Sequence, residues 1–207
     1  MGNTVGSQRN LNLRQQKILI GTLLGDGVLE INGRNVRLRV DHSEKQKEYV
    51  EWKHNEFLNI ASKKIRFVLQ KRDPRTGKKY KHYRFDTFSL SSLIPFYNLF
   101  YKNGRRQIPD NICQLLKSPL SLAVWFMDDG YKRNDCNALR LSTDCFDLEQ
   151  QKLLIDCLQK RFEMSCRIHK KGKYWNIYIP SSQSKKFCRI VDPHIIPSMR
   201  YKVSLTP

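Results

Sequence analysis

Leu19-Ile20-Gly21-Thr22-Leu23-Leu24-Gly25-Asp26-Gly27 and, 103 residues further on, Leu122-Ala123-Val124-Trp125-Phe126-Met127-Asp128-Asp129-Gly130 are two apolar runs that each end on Asp-Gly. Apolar residues cover most of the circumference of each run, the pattern of a helix buried against another helix. Gly21 and Gly25 are four apart and so share one helix face. Each costs roughly 1 kcal/mol in helix propensity relative to Ala, a cost that close backbone approach to a partner helix would offset. Gly27 and Gly130 are expected to close the helices in the left-handed conformation. Asp26 and Asp129 then stand at the negative end of a helix dipole, unfavourable by about 0.3 to 1 kcal/mol. If the two helices pack in parallel, the carboxylates meet at one end. Their repulsion is resolved most naturally by divalent cations with oxygen ligands.

Around these runs the elements recur in one order: an apolar helix ending in Asp-Gly, two short strands, a helix, a basic hairpin, and an Ile-Pro segment. Alternating and turn-forming residues predict one hairpin over 65–88, with its turn at Asp73-Pro74-Arg75-Thr76-Gly77, and a second over 166–179. Shorter strands are predicted at 28–31, 36–40 and 139–143. Helical periodicity runs over 47–62, with Val50, Phe57 and Leu58 apolar, and over 148–162, where Leu154, Cys157, Leu158 and Phe162 form a stripe. The repeat is half the chain long: Arg37-Leu38 is matched to Arg140-Leu141, and Ile108-Pro109 loosely to Ile196-Pro197. Two similar units are expected, 1–103 and 104–207, with a linker at about 102–118.

Charge bears on the partner. The 207 residues carry 38 Lys+Arg against 19 Asp+Glu, a formal net charge of +19. With 20 basic and 9 acidic residues in 1–103, that half is +11 and the other is +8, so the charge belongs to folded surface rather than to a tail. A hydrophobic content of 40% supports a packed core. Nucleic acid and an anionic membrane surface are the candidate polyanions. The longest apolar stretch, Ile18 to Leu24, is far short of the ~20 residues that span a bilayer. The start MGNTVGSQRN has neither a secretory core nor an Arg-rich presequence and is read as a polar tail. Six cysteines without CxxC spacing are read as reduced thiols, not a zinc site.

The two motif runs resemble the paired motifs of LAGLIDADG homing endonucleases in their single-chain form. The stretches Ile94 to Phe100, Ile108-Pro109 through Gly130, and Ile195 to Lys202 extend that resemblance over nearly the whole chain. It implies an α+β fold of two pseudo-twofold-related αββαββα units, with the motif helices packed at their interface and saddle-shaped antiparallel sheets in the DNA major groove. It also implies an intron-encoded, site-specific endonuclease, monomeric, that cuts both strands of a long duplex with Mg2+ and leaves 3′ overhangs. Ca2+ is the expected non-cleaving substitute. The alternative is an RNA maturase assisting its host group I intron. An organelle or a bacterial cytoplasm is the expected location, not secretion.

Residue by residue, the resemblance makes Asp26 and Asp129 the metal ligands, with Gly25 and Asp128 beside them, Asp128 in a supporting role. It places a basic residue near each centre: Lys202 matches, whereas Arg106 stands where relatives usually carry Lys. Arg stabilises phosphate charge but is a poor proton donor or acceptor, which raises unequal cleavage of the two strands as an expectation. A polar side chain at the end of the second strand of each unit falls on His42 and Asp144, give or take one residue. The strands supply the candidate DNA contacts: Arg34, Arg37, Arg39, Lys71, Arg72, Lys81 and Arg84 in the first unit, and Arg140, Arg167, His169, Lys171 and Lys173 in the second. Arg can read guanine bidentately, while most Lys contacts are sequence-blind.

Overall fold

A computed structural model describes residues 9–62 and 64–205, with only the backbone of Lys171; most of the polar N-terminal tail lies outside the described residues. The chain divides into two compact units. One comprises the chain up to Gln16 together with Val28–Tyr97, the other Lys17–Gly27 together with the chain from Asn98 onward. Both motif runs therefore belong to the second unit, whereas a cut at residue 103 separates them.

In the first unit, β1 (Val28–Asn32), β2 (Asn35–Ser43), β3 (Arg66–Leu69) and β4 (Lys81–Asp86) form an antiparallel sheet of order β1-β2-β4-β3. β2 reads Asn-Val-Arg-Leu-Arg-Val-Asp-His-Ser and alternates strictly, with Val36, Leu38, Val40 and His42 buried and the residues between them partly exposed. That period of two is what makes it a half-covered strand. Helix α2 (Lys47–Glu56) supplies Tyr49 and Val50 to the same core, and Phe57 follows at its end. This helix is shorter than its predicted 47–62 span; Leu58 is 63% exposed, whereas Tyr49 is buried. Gly33, at φ +63°, turns β1 into β2, as a two-residue hairpin with Gly in the first turn position requires. The β3–β4 ladder ends at the Leu69–Lys81 pair, leaving Lys71 and Arg72 in the connection.

The second unit repeats the sheet with β7 (Gly130–Lys132), β8 (Leu139–Leu141), β9 (Arg167–Lys171) and β10 (Tyr174–Ile179) in the order β7-β8-β10-β9. Gly172, at φ +61°, closes its hairpin in the same way. The predicted stripe Leu154, Cys157, Leu158 and Phe162 is the buried face of α6 (Leu148–Phe162). The ladder sets the repeat more finely than residue matching does. β1 pairs Val28 with Arg39, and β7 pairs Tyr131 with Arg140. Counted from the motif glycines, Arg39 rather than Arg37 is therefore the counterpart of Arg140. α3 (Ile94–Phe100) passes from the first unit into the second, where β5 (Tyr101–Lys102), β6 (Arg105–Arg106) and α4 (Ile112–Leu115) lead to the second motif, and α7 (Ser181–Val191) follows β10.

The motif helices are α1 (Leu13–Leu24) and α5 (Pro119–Asp129). Ser118 caps α5 by accepting from the Leu120 N–H at 3.2 Å, with Pro119 in the first turn, where its missing N–H costs nothing. The motif part of α1 packs on α5 at backbone distance. A Cβ on Gly21 would lie 2.3 Å from the Ser121 carbonyl oxygen, and the Ser121 hydroxyl donates to the Lys17 carbonyl at 2.7 Å. Gly27 and Gly130 do not take the left-handed conformation expected of them: Gly130 is extended (φ −81°, ψ 148°), and neither has a positive φ. Steric room is what selects glycine there. A Cβ would meet Thr22 Cγ2 at 2.2 Å on Gly27 and the Phe126 ring at 2.1 Å on Gly130.

Candidate functional site

α1 ends at Leu24, and Gly25-Asp26 form the turn that follows, whereas α5 continues through Asp129. The two helix ends bring three carboxylates together within the second unit. Asp26 is exposed, Asp129 is half-buried and Asp128 is buried. Ligand oxygens of Asp26 and Asp128 lie within 4.8 Å of each other. Asp128 also builds the site: its Oδ2 accepts from the Asp26 N–H at 3.2 Å, and its Cβ would sit 2.4 Å from a Cβ on Gly25. The glycine thus makes room for the carboxylate that orients the next residue.

Asp129 is the electrostatically strained member. Burial pushes its carboxyl up to about 8, helped by the negative charges of Asp26 and Asp128, while Arg106 and Lys202 pull it back only in part. A proton, or a cation in its place, relieves that strain. Donors of this kind are all oxygen, which suits hard divalent ions such as Mg2+ and Ca2+. On this geometry Asp26 and Asp128 lie close enough to share a cation, and Asp129 is near enough to both to feel their charge.

The unfavourable placement of a carboxylate at a helix C-terminus has a specific answer. The Arg106 Nη1 donates to the carbonyls of Leu23 (3.4 Å), Gly25 (2.5 Å) and Gly27 (3.2 Å). The Lys202 ammonium donates to the carbonyls of Met127 and Asp128, the latter at 3.1 Å. Each motif end is therefore covered by one cation, and each cation holds the carbonyl immediately before the motif Asp. The Gly25 carbonyl, expected beside the metal, is engaged by Arg106 through one of its two lone pairs. Arg106 is delivered by the β5–β6 hairpin, whose turn is Asn103-Gly104 with both φ values positive, 52° and 72°. Asn-Gly between short strands is the strongest local hairpin signal, and it lies within the expected linker span.

Of the two strand-end residues, His42 lies on the core-facing side of β2, its Nε2 3.5 Å from the Lys53 Nζ and its ring tilted against Tyr49 at 5.1 Å. Asp144 is exposed and outside β8. Carrying the Arg39–Arg140 equivalence forward moves the counterpart of His42 one residue earlier, to Thr143. Thr143 is fully buried, and its hydroxyl donates to Gln151 Oε1 at 2.9 Å.

Most strand cations do face away from the core. Arg37, Arg39 and Arg84 lie on the outer face of the first sheet and Arg140 and His169 on that of the second. Arg34 and Lys173 sit in hairpin turns, Lys71 and Arg72 in the β3–β4 connection, and Lys81 and Arg167 are exposed. Composition did not anticipate the acids among them. Glu30 accepts from Arg37 and Arg39, Asp86 pairs with Arg39 and Arg66, and Asp41 pairs with Arg84 and His82.

A model of the LAGLIDADG DNA endonuclease family matches residues 16–187, both motif runs and both sheets. The chain belongs to the LAGLIDADG DNA endonuclease family. Among family relatives, it is 30% identical to a probable intron-encoded endonuclease 1 of Wickerhamomyces canadensis, over 91% of this chain and 83% of that one. It is 29% identical to a cytochrome b mRNA maturase bI2 of Debaryomyces hansenii, over 97% of this chain and 78% of the relative. The solved structure of the homing endonuclease I-WcaI bound to its DNA recognition sequence superposes with a TM-score of 0.89 at 26% identity, covering 100% of this chain and 96% of that one. The α+β architecture with repeated antiparallel sheets is thus the LAGLIDADG fold. No described helix is long and apolar enough to cross a membrane.

The raised Asp129 carboxyl makes a signed prediction. A folded carboxyl that binds its proton more tightly than the unfolded one, at 3.8, stabilises the protein fully at pH below about 4. That contribution is lost as pH rises through about 8. Ion-free protein is therefore expected to lose stability between pH 5 and 8, and Ca2+ to raise the melting temperature more at pH 8 than at pH 5. Thermal melts in chelator and in Ca2+ at both values check this; an equal Ca2+ effect at both would contradict it.

Proposed function

We propose that this chain is an intron-encoded, monomeric, site-specific endonuclease that hydrolyses both strands of a long DNA duplex with Mg2+, leaving 3′ overhangs, in an organelle or a bacterial cytoplasm. The observation that carries the reading is the meeting of Asp26, Asp128 and Asp129 at the ends of two glycine-packed helices, each end covered by one cation. Bound there, divalent ions would supply an activated water and neutralise the leaving oxygen. The chain's own part is positional. Asp128 orients Asp26, Arg106 and Lys202 hold the carbonyls beside the motif aspartates, and both cations add positive potential where a phosphate would enter. In this reading each sequence half, 1–103 and 104–207, contributes one motif Asp, and each Asp serves one strand, as the family resemblance implies.

Incubation with Mg2+ and the intronless form of the host gene tests this: a double-strand break with 3′ overhangs is expected. Binding is also expected to be steeply salt-dependent for a chain of net charge +19, falling by about 10³-fold or more between roughly 50 and 200 mM salt. Filter binding at the two concentrations measures it, and unchanged affinity would count against DNA as the partner. The likeness to a relative named as an mRNA maturase favours one second reading, assistance to splicing of a group I intron. Magnesium-independent binding of intron RNA without any nicking of DNA would select it.

A further inference from the structure

The two sheets offer chemically different outer faces. Strands β1, β2 and β4 of the first carry Glu30, Asp41 and Asp86, whereas β7, β8, β9 and β10 contain no acidic residue at all. The difference falls at matching positions. Asp86 pairs across the ladder with Arg39 where Tyr178 pairs with Arg140, and Glu30 stands two residues after Val28 where Arg133, paired with Asp135 of the β7–β8 connection, stands two after Tyr131. In the first sheet the ion pairs run Glu30–Arg39–Asp86–Arg66, through all four strands in spatial order, with Arg37 also held by Glu30 at 2.8 Å and Arg84 held by Asp41. In the second, the Arg140 guanidinium lies 5.9 Å from the Tyr178 ring centroid, and His169 stacks on that ring at 4.1 Å.

Carboxylates on a face that meets a polyanion weaken phosphate contact, so affinity does not explain three of them. They do two other things. Each locks an arginine in one orientation, reducing the rotamer entropy lost when the arginine meets a base edge. Each also repels a misplaced phosphate and accepts hydrogen bonds only from donors such as cytosine N4 or adenine N6. We propose that Glu30, Asp41 and Asp86 are specificity determinants: they preform Arg37, Arg39, Arg66 and Arg84 into a base-reading array. The half-site under the first sheet is thus read more strictly than the half-site under the second, whose strands carry no acid. This inference rests on the outer faces being the DNA-binding faces, as the proposed function requires.

The test is selection of bound duplexes from a randomised library by the wild-type chain, Glu30→Gln, Asp41→Asn and, as a bulk-charge control, Glu149→Gln on the exposed surface of α6. The wild type is expected to show one stringent and one permissive half-site. Glu30→Gln and Asp41→Asn are expected to relax the stringent half by about 10-fold or more per affected base pair and to bind non-specific duplex more tightly, with the other half and the control unchanged. Glu30 lies at the rim of the network, so its variant keeps the test open if Asp41→Asn unfolds. A wild type that selects no duplex contradicts the DNA reading itself. A wild type that selects a site, with both variants keeping its profile or the control relaxing it equally, overturns the inference alone.

Discussion

Asp129→Asn is expected to abolish double-strand cleavage, by about 10³-fold or more, while leaving the ion-free fold at least as stable as the wild type at pH 8. Loss of a ligand that positions and neutralises transition-state charge removes several kcal/mol, and each 1.36 kcal/mol is tenfold in rate. The stability half of the prediction separates catalysis from folding. Asn is neutral and nearly isosteric with protonated Asp, the form that burial and the charges of Asp26 and Asp128 favour up to about pH 8. The variant therefore resembles the relaxed state of the site. Asp26→Asn is expected to show the same loss of cleavage. Its backbone N–H still donates to Asp128, so the turn that carries it is preserved. Normal cleavage by either variant would refute the assignment of these carboxylates, whatever their melts show.

Gly21→Ala is expected to destabilise the chain by about 3 kcal/mol or more, the upper range for overpacking a close-packed contact, with loss of cooperative unfolding if the helices separate. Two effects oppose each other. Alanine gains roughly 1 kcal/mol in helix propensity over glycine. Against it, the new Cβ would stand 2.3 Å from the Ser121 carbonyl oxygen, 2.7 Å from Val124 Cβ and 3.0 Å from the Trp125 nitrogen. Two of those three neighbours are backbone atoms of α5, which no rotamer change can move, so the clash decides the sign. Urea unfolding of the purified variant measures it; a midpoint at or above that of the wild type would contradict the close packing of the motif helices.

The parts of this molecule legible in the sequence are those written in local periodicity. The two apolar runs with their Asp-Gly ends, the alternation of β2 and the α6 stripe each announce an element, and their recurrence a half-chain apart announces the repeat. What could not be read joins residues distant in sequence. The pairing of Arg39 with Asp86 and of Arg84 with Asp41 depends on β2 and β4 being neighbours, so cations expected as DNA contacts are held by carboxylates. The Arg39–Arg140 equivalence depends on hairpin register, which residue matching missed by two positions. For Gly27 and Gly130, what matters is a missing Cβ beside Thr22 and Phe126, a long-range fact that the local helix-end pattern does not carry. The helix-end cations were half legible. The resemblance points to Arg106 and Lys202, but their work on the carbonyls of Leu23, Gly25, Gly27, Met127 and Asp128 needs the fold.

Calorimetric titration of Ca2+ into the protein bound to its selected duplex, at pH 7 to 8 in two buffers of different ionisation enthalpy, addresses the metal centre most directly. Divalent binding accompanied by proton release is expected in the wild type, because Asp129 must give up its proton to the ion. Both the binding and the proton release are expected to disappear in the Asp26→Asn/Asp129→Asn double variant. The same isotherm in the double variant as in the wild type would contradict the account.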